Sequence, residues 1–242
     1  MGAQIGIIAA LPGEVSGLLS RLDVLDQGSA GGLPIQVGVY EGKDIVVLIS
    51  GVGPKKARAA VRVLINRHRP DLILSVGFAG GLDPSLELGE AIVPSRIVDQ
   101  MDVRIDTQPD IQRKLLDARP AAHTGTILTT SRFIADESEK EALFHRYDAR
   151  AVDMESAAIA AEAEAGGFPH LALRVISDTA DQTLPPLSRF LNARGEVMPF
   201  RAILYFARHP RHFIPTLRFY TGMSHAAGVL TDLLITAITV LP

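Results

Sequence analysis

Three carboxylates stand where they could act on a bound molecule: Asp178, Glu14 and Glu155. Asp178 follows an apolar run, and an Asp at a strand end in a cleft can serve as a general acid if burial raises its pKa. Such an acid suits cleavage of an N-glycosidic bond, because a departing purine is a poor leaving group unless it is protonated. Glu14 could activate the attacking water, and Glu155 could grip vicinal sugar hydroxyls or stabilise positive charge on the sugar.

Each of these residues also has a plain structural explanation. Asp178 could be a solvated loop residue, and Glu14 and Glu155 each fit the first turn of a predicted helix, where negative charge is favourable. The glycines at 51–53 and 78–81 could let an anion or ligand approach the backbone, or could only make turns. Taken singly, the structural explanations are the simpler ones, so the order of the motifs together must decide.

Apolar runs of strand type alternate with helical patterns along the chain. This alternation predicts an α/β fold: a single-domain, three-layer α/β/α arrangement around a mixed, mainly parallel sheet. Ligands bind beyond the carboxyl ends of such strands, where Glu14, both glycine turns and 177–178 fall. The polar stretch 104–121 shows no clear pattern. The predicted strands are 5–10, 35–40, 44–50, 72–77, 90–94, 124–130 and 171–176, and the predicted helices are 14–22, 55–68, 136–144 and 152–166.

Composition excludes several classes of function. The 242 residues carry a formal net charge of −3 and no Cys, which argues against nucleic-acid binding and rules out disulfides and thiolate metal sites. The seven His residues form no ligand-spaced cluster, so we expect no metal. No basic signal region precedes the first strand, and the most apolar stretch, 229–241, is short for a membrane span and carries Asp232. We therefore expect a cytoplasmic protein.

Five motifs, taken in order, carry a resemblance to a known family. They are IGIIAALPGEV (5–15), SGVG (50–53), GFAGGL (77–82), VDMESAAIA (152–160) and RVISDTAD (174–181). The set resembles the methylthioadenosine/S-adenosylhomocysteine nucleosidases of the purine nucleoside and uridine phosphorylase superfamily, over residues 3–183. The resemblance implies the nucleoside phosphorylase fold, a small-molecule nucleoside as substrate, no organic cofactor and a homo-oligomer.

The resemblance also implies roles for individual residues. Asp178 corresponds to the acid that protonates adenine, with Ser177 helping to hold it, and Glu14 to the carboxylate that activates water. Met154 and Glu155 correspond to the ribose-binding pair. Phe133 and Ile134 correspond to residues that stack on the base. Phe78, Ala79 and Gly80 correspond to residues that line the nucleoside pocket. Arg174 corresponds to a residue near the site whose role is open.

The chain departs from the family pattern near the site. Leu11 replaces a Met, Pro12 and Gly13 replace two acidic residues, Phe78 replaces a small polar residue, and Ser156 replaces a smaller one. These changes leave the 5′ substituent of the nucleoside open. We cannot place a phosphate-binding Arg set, and Glu14 would repel phosphate. Water is therefore the favoured nucleophile, with phosphate as the alternative co-substrate.

Residues 185–242 form a basic, aromatic C-terminal extension, expected to be helical. Between positions 197 and 231 there are four Arg and three His but no acidic residue. The extension resembles that of the hopanoid-associated phosphorylases, whose proposed substrate is adenosylhopane, a lipid-linked adenine nucleoside. That implies a role in hopanoid biosynthesis and peripheral contact of 199–225 with the inner membrane, which a basic aromatic segment suits. The alternative is a helix pair that completes the core or an oligomer interface.

Two further functions stay open from the sequence. One is a soluble nucleosidase for methylthioadenosine, S-adenosylhomocysteine or futalosine. The other is a non-catalytic nucleoside-binding protein. The presence of Glu14, Glu155 and Asp178 together favours an enzyme, because binding alone needs no acid beside the base.

Overall fold

Eleven strands form one mixed sheet in the computed structural model, which describes residues 4–184 and 213–241. The strands are β1 (Gln4–Ala9), β2 (Asp23–Ala30), β3 (Leu33–Tyr40), β4 (Lys43–Ile49), β5 (Leu72–Gly81), β6 (Ala91–Ile92), β7 (Arg96–Asp99), β8 (Arg104–Asp106), β9 (Thr126–Thr129), β10 (Ala149–Asp153) and β11 (His170–Asp178). The helices are α1 (Ser16–Leu19), α2 (Pro54–His68), α3 (Pro109–Ala118), α4 (Glu137–Tyr147), α5 (Ser156–Gly166) and α6 (Phe213–Val240), and a 3₁₀ turn spans Pro12–Glu14.

The strand order confirms the predicted mixed sheet. It runs β2-β3-β4-β1-β5-β10-β9-β7-β8, with β11 paired to β5 and β6. β1 lies parallel to β4 and β5, and β11 lies parallel to β5, whereas β10 pairs antiparallel with the last residues of β5. β5 is therefore paired with β1, β10 and β11, and both β10 and β11 pair with its carboxyl end.

Helices cover both faces of the sheet because the central strands are apolar on both sides. Ile5 and Ile7 of β1 pack in one core cluster with Leu18, Leu115 and the buried face of α6. Ile8 points the other way, into a cluster with the apolar stripes of α2 and α5. Successive strand residues thus serve opposite layers, as the period of a strand requires. This confirms the predicted single α/β domain with three layers.

The C-terminal helix α6 is a core helix over its described side chains. Its buried residues are Ala226, Leu230, Leu233, Leu234, Ala237 and Ile238, all in the cluster on β1 and β11. Its exposed residues are Ser224, His225, Gly228, Asp232 and Thr239. Lys43 in β4 donates to the backbone oxygens of Thr239 and Leu241 and ties down the end of the helix.

The apolar stretch of this helix is longer than the sequence indicated. Among the described residues, Gly222–Val240 is long and apolar enough to cross a membrane, whereas the apolar stretch expected from the sequence covers only 229–241. Ala and Gly at 222, 226, 227 and 228 lengthen the helix without adding to an obvious apolar run. The packing of its apolar face on the sheet identifies it as part of the core, one of the alternatives left open for the extension. Residues 185–212, which hold most of the basic aromatic segment, lie outside the described residues.

Other boundaries also differ from the sequence prediction. β2 was not predicted, because its residues are almost all exposed and its apolar residues do not alternate with polar ones; the strand is held by pairing with β3 at the sheet edge. α3 was missed in the polar stretch 104–121, where it buries only Leu115. The predicted helix 14–22 is a 3₁₀ turn followed by the short α1. Positions 152–153 end β10 instead of opening α5, while Gly167 caps α5 in the left-handed conformation, as predicted.

Candidate active site

Glu14 is buried beside the end of β1. The 3₁₀ turn Pro12–Glu14 folds its side chain back, so that Oε2 accepts the N–H groups of Ala10 and Leu11, both at 2.8 Å. The N–H of Phe78 lies 3.4 Å from Oε1. Burial raises the pKa of Glu14, while these N–H groups and the charge of Arg174 oppose the rise. The carboxylate is oriented by the backbone, and a carboxylate with a raised pKa is a better base.

Gly77 in β5 makes room for this carboxylate. A Cβ at Gly77 would lie 2.9 Å from Oε1 of Glu14 and 3.7 Å from Cζ of Arg174. A real side chain carbon could not occupy that place without a shift of the glutamate. The sequence predicted that this strand ends at Gly77. β5 instead continues to Gly81 through pairing with β11, so Gly77 lies inside the strand. The lack of a side chain at Gly77 lets the Glu14 carboxylate approach the strand closely.

Arg174 forms the centre of a buried polar network. Its Nε and Nη2 lie 2.8 Å from Oδ2 of Asp153, and its Nη1 donates to the backbone oxygens of Ser75 and Leu173 at 2.7 and 2.9 Å. Its Nη2 also donates to the Ser75 hydroxyl at 2.8 Å. All five N–H donors are thus directed at protein groups. The sequence left the role of Arg174 open. In the structure Arg174 holds this polar network together and places a positive charge near Glu14 and Glu155.

Glu155 lies between β10 and α5, partly buried. Its Oε1 accepts the N–H of Gly53 at 2.7 Å. Burial raises its pKa to about 7, with a further contribution from the negative charge of Asp153 and a smaller one from Glu14. The turn at 51–53 was expected either to cradle an anion or only to turn the chain. The anion that Gly53 binds is the side chain of Glu155.

Asp178 is the last residue of β11 and is only 1% exposed, which rules out the solvated-loop explanation. A register shift after Ile176 places it opposite Gly80 of β5. Its Oδ1 accepts the hydroxyl of Ser177 at 2.7 Å, and its Oδ2 accepts from the ammonium of Lys140 at 2.6 Å. Burial raises the pKa of Asp178, while Lys140 and Ser177 oppose the rise. Ser177 thus contacts Asp178, and its role in holding the acid during catalysis stays a prediction.

Sequence reasoning missed Lys140. It lies in α4, where residues 136–144 were predicted only to be helical; the many charged residues of this helix are a pattern typical of a solvated face. In the structure Lys140 is fully buried and reaches Asp178 from a different layer. One weak signal was present: a Lys close to a helix N-terminus opposes the helix dipole. Nothing in the spacing linked it to a residue 38 positions away.

The remaining predicted residues fall into two groups. Phe78, Ala79 and Gly80 form the segment of β5 that runs from Glu14 to Asp178, and a Cβ at Gly80 would lie 3.1 Å from Oδ2 of Asp178. Ile134 is buried in a cluster with Leu82, Leu128 and Val152, while the Phe133 ring is 45% exposed and Met154 is partly buried. Base stacking by Phe133 and Ile134 and ribose contact by Met154 stay predictions.

The strand segment 77–80 therefore connects two acidic centres. Glu14 lies against Gly77, and Asp178 lies against Gly80. Three residues of strand span about 10 Å, close to the length of a nucleoside. Glu155 is near enough to Glu14 for their charges to interact. The arrangement has an acid at one end of the segment and two carboxylates with an interior arginine at the other.

Comparison with known proteins decides the family. Residues 4–199 match the phosphorylase superfamily. The chain belongs to this superfamily. The match spans far more than half of the chain and contains all eleven predicted site residues. The predictions of the family and of an enzyme of this superfamily are thereby confirmed.

Relatives and solved structures carry the same fold. The chain is 29% identical over 203 residues to the 5′-methylthioadenosine/S-adenosylhomocysteine nucleosidase of Listeria innocua and 27% identical over 199 residues to that of Staphylococcus aureus. Each alignment covers 74% of this chain and 87% of the relative. The S-adenosylhomocysteine nucleosidase of Streptococcus pyogenes, in complex with 5-methylthiotubericidin, superposes with a TM-score of 0.80 at 22% identity, over 100% of this chain and 98% of that one. The futalosine hydrolase of Helicobacter pylori gives 0.77 at 20%, over 98% and 97%.

Proposed function

We propose that this enzyme hydrolyses the N-glycosidic bond of an adenine nucleoside, with Asp178 as the general acid and Glu14 as the general base. One observation carries the proposal. Three carboxylates have a pKa that is raised mainly by burial: Glu14 and Asp178, which lie against one segment of β5, and Glu155, whose charge interacts with that of Glu14. Perturbed carboxylates grouped in this way are typical of acid–base sites.

The proposed reaction moves two protons. The O–H bond of Asp178 breaks and its proton passes to a purine nitrogen, while the electron pair of the glycosidic bond moves onto the purine. The positive charge that develops on the ribose is stabilised by the carboxylate of Glu155, which also binds the sugar hydroxyls. Glu14 takes a proton from water as the water oxygen bonds to the anomeric carbon. Solvent later returns the proton from Glu14 to Asp178, and no cofactor is needed.

The charges around Glu14 favour water over phosphate. Among the described residues, Arg174 is the cation that lowers the pKa of Glu14, and its N–H donors are already bound to Asp153, Ser75 and Leu173. A phosphate at this place would meet the negative charges of Glu14 and Glu155, and the N–H donors of Arg174 are not free to bind it. Hydrolysis is the proposed reaction, with phosphorolysis, a transfer of the glycosyl group to phosphate, as the alternative.

The comparisons favour a small soluble nucleoside with a 5′ substituent. The relatives are named for methylthioadenosine and S-adenosylhomocysteine, and one structural neighbour for futalosine. A lipid-linked nucleoside, adenosylhopane, is the second candidate and rests on the resemblance of residues 185–242. The described part of that extension packs in the core. The segment 199–225, expected at the membrane, lies largely outside the described residues, and the homo-oligomer stays a prediction.

Release of the free base tests these proposals. The purified chain is incubated with methylthioadenosine, S-adenosylhomocysteine, futalosine and adenosylhopane, each with and without phosphate. Release from soluble adenine nucleosides at a phosphate-independent rate supports the proposal. Release from adenosylhopane alone supports the second candidate, and a rate that rises with phosphate overturns hydrolysis. No release from any of them refutes the proposed function.

A further inference from the structure

Lys140 occupies a fully buried position that a lysine rarely takes. Its side chain is 0% exposed, and its Nζ donates to Oδ2 of Asp178 at 2.6 Å and to the backbone oxygens of Thr179 and Gln182 at 2.7 and 2.9 Å. All three ammonium donors are therefore used. Burying an ammonium is unfavourable unless it is paired and hydrogen-bonded, and a lysine on a helix can normally extend to solvent. This lysine is held inside by one carboxylate and one turn.

Lys140 is also the charged group that faces Asp178 within the described parts of the chain. Ser177 of β11 supplies a neutral hydroxyl to Oδ1. β5 presents the backbone of Gly80, and β10 presents the methyl groups of Val152 next to it. Of the described elements, α4 alone contributes a charge, through Lys140. The two oxygens of Asp178 are thus distinguished: Oδ1 accepts from a hydroxyl, and Oδ2 accepts from an ammonium.

We propose that Lys140 is a positioning residue that favours proton departure from Asp178 to the purine, because its ammonium stabilises the carboxylate that this step leaves behind. The inference rests on the proposed function, in which Asp178 is the general acid. In that step the O–H bond of Asp178 breaks, an N–H bond forms on the purine, and Lys140 stays protonated throughout. The bonds to Thr179 and Gln182 hold the 179–182 turn and fix the ammonium against Oδ2.

The charge and the fixed geometry make separable predictions. Without the ammonium, the buried Asp178 carboxyl holds its proton more tightly and becomes a weaker acid. Lys140→Met removes the charge, and Lys140→Arg keeps it with a different shape. Lys114→Met, at an exposed position in α3, is the matched control for the same replacement.

The experiment is the pH dependence of kcat/KM for base release by the wild type and these three variants. We expect Lys140→Met to lose about 10- to 100-fold in kcat at pH 7, no more than the lower end of the roughly 10²- to 10⁴-fold that a proton-transferring residue itself contributes. We also expect the midpoint of its alkaline limb to rise by about one pH unit or more, while Lys140→Arg keeps a midpoint close to wild type and Lys114→Met is unchanged. A Lys140→Met enzyme with the wild-type midpoint, or with undiminished kcat, overturns the inference.

A second measurement does not depend on turnover. Melting temperatures at pH 8 are compared for Lys140→Met, Asp178→Asn and the double variant. Lys140→Met leaves the buried carboxyl without its ammonium and Asp178→Asn leaves the buried ammonium without its carboxylate, so the double variant should be less destabilised than the sum of the two. If the wild type releases no base, the proposed function fails whatever this cycle gives. Additive single effects overturn the charge pairing, and with it the inference, whether or not the wild type is active.

Discussion

The backbone N–H of Gly53 lies 2.7 Å from the carboxylate of Glu155, 102 positions further along the chain. The bond joins the turn after β4 to the N-terminal end of α5. A charged hydrogen bond of this length is among the stronger ones in proteins. It holds in place a side chain whose pKa is raised to about 7 and whose negative charge would otherwise be repelled by Asp153. The carboxylate that we propose binds the sugar is thus positioned before any ligand arrives.

Replacement of the acid should separate catalysis from binding. We expect Asp178→Asn to lower kcat by about 10²- to 10⁴-fold, because the amide has no acidic proton for the purine while its shape is retained. The dissociation constant of the nucleoside, measured by calorimetry, should change little. Asp181→Asn, an exposed carboxyl three residues on, is the control. Retained turnover in Asp178→Asn would remove Asp178 from the mechanism.

A single methyl group at Gly77 should disturb the base. In Gly77→Ala the new Cβ would lie 2.9 Å from Oε1 of Glu14, so the carboxylate must move. Overpacking of this kind costs about 1–3 kcal/mol, and a misplacement near 1 Å can cost about 10²-fold in rate. Gly13→Ala is the control, because nothing lies within 4 Å of its Cβ. Steady-state kinetics and thermal melting decide, and equal activity of the two variants would contradict this account.

The raised pKa of Glu155 predicts a pH effect on stability. The folded protein holds this proton up to a pKa of about 7, whereas the unfolded chain releases it near 4.5. Between these values the folded state binds more protons, so this residue's contribution to the free energy of unfolding falls as the pH rises. Glu155→Gln should therefore gain stability relative to wild type from pH 5 to pH 8. Melting temperatures across this range measure the difference, and a constant difference would show that the pKa is not raised.

His170 should act in the opposite direction. It is buried at the start of β11, neither ring nitrogen has a hydrogen-bond partner of good geometry among the described residues, and burial lowers its pKa, against the charge of Glu164 and the backbone of Phe168. As the pH falls below the ordinary value of about 6.5, the unfolded chain gains a proton that the folded protein does not. Wild type should thus lose stability below pH 6.5, and His170→Leu should lose less. Denaturant unfolding at pH 5.5 and 8 tests this, and parallel losses in both proteins would argue against a neutral buried His170.

The sequence indicated the fold and much of the site for identifiable reasons. Strands such as β1 and β11 are apolar on both faces, and the carboxyl ends of neighbouring strands meet at one edge, so Glu14 and Asp178 could be assigned to one region. β2 was missed because its exposed residues carry no alternation, and its pairing with β3 alone defines it. Lys140 was missed because its partner is set by how α4 packs against the sheet. Such contacts between layers leave no periodic signal along the chain.

The segment of β5 from Gly77 to Gly80 acts as a fixed spacer. Because Glu14 lies against Gly77 and Asp178 lies against Gly80, the separation of these two contact points along the strand is set by its rise, about 3.3 Å per residue. Inserting or deleting one residue here would change that distance by one step and turn every following side chain to the other face. Surface turns of this fold can vary in length, whereas the number of residues from Gly77 to Gly80 is itself part of the proposed active site.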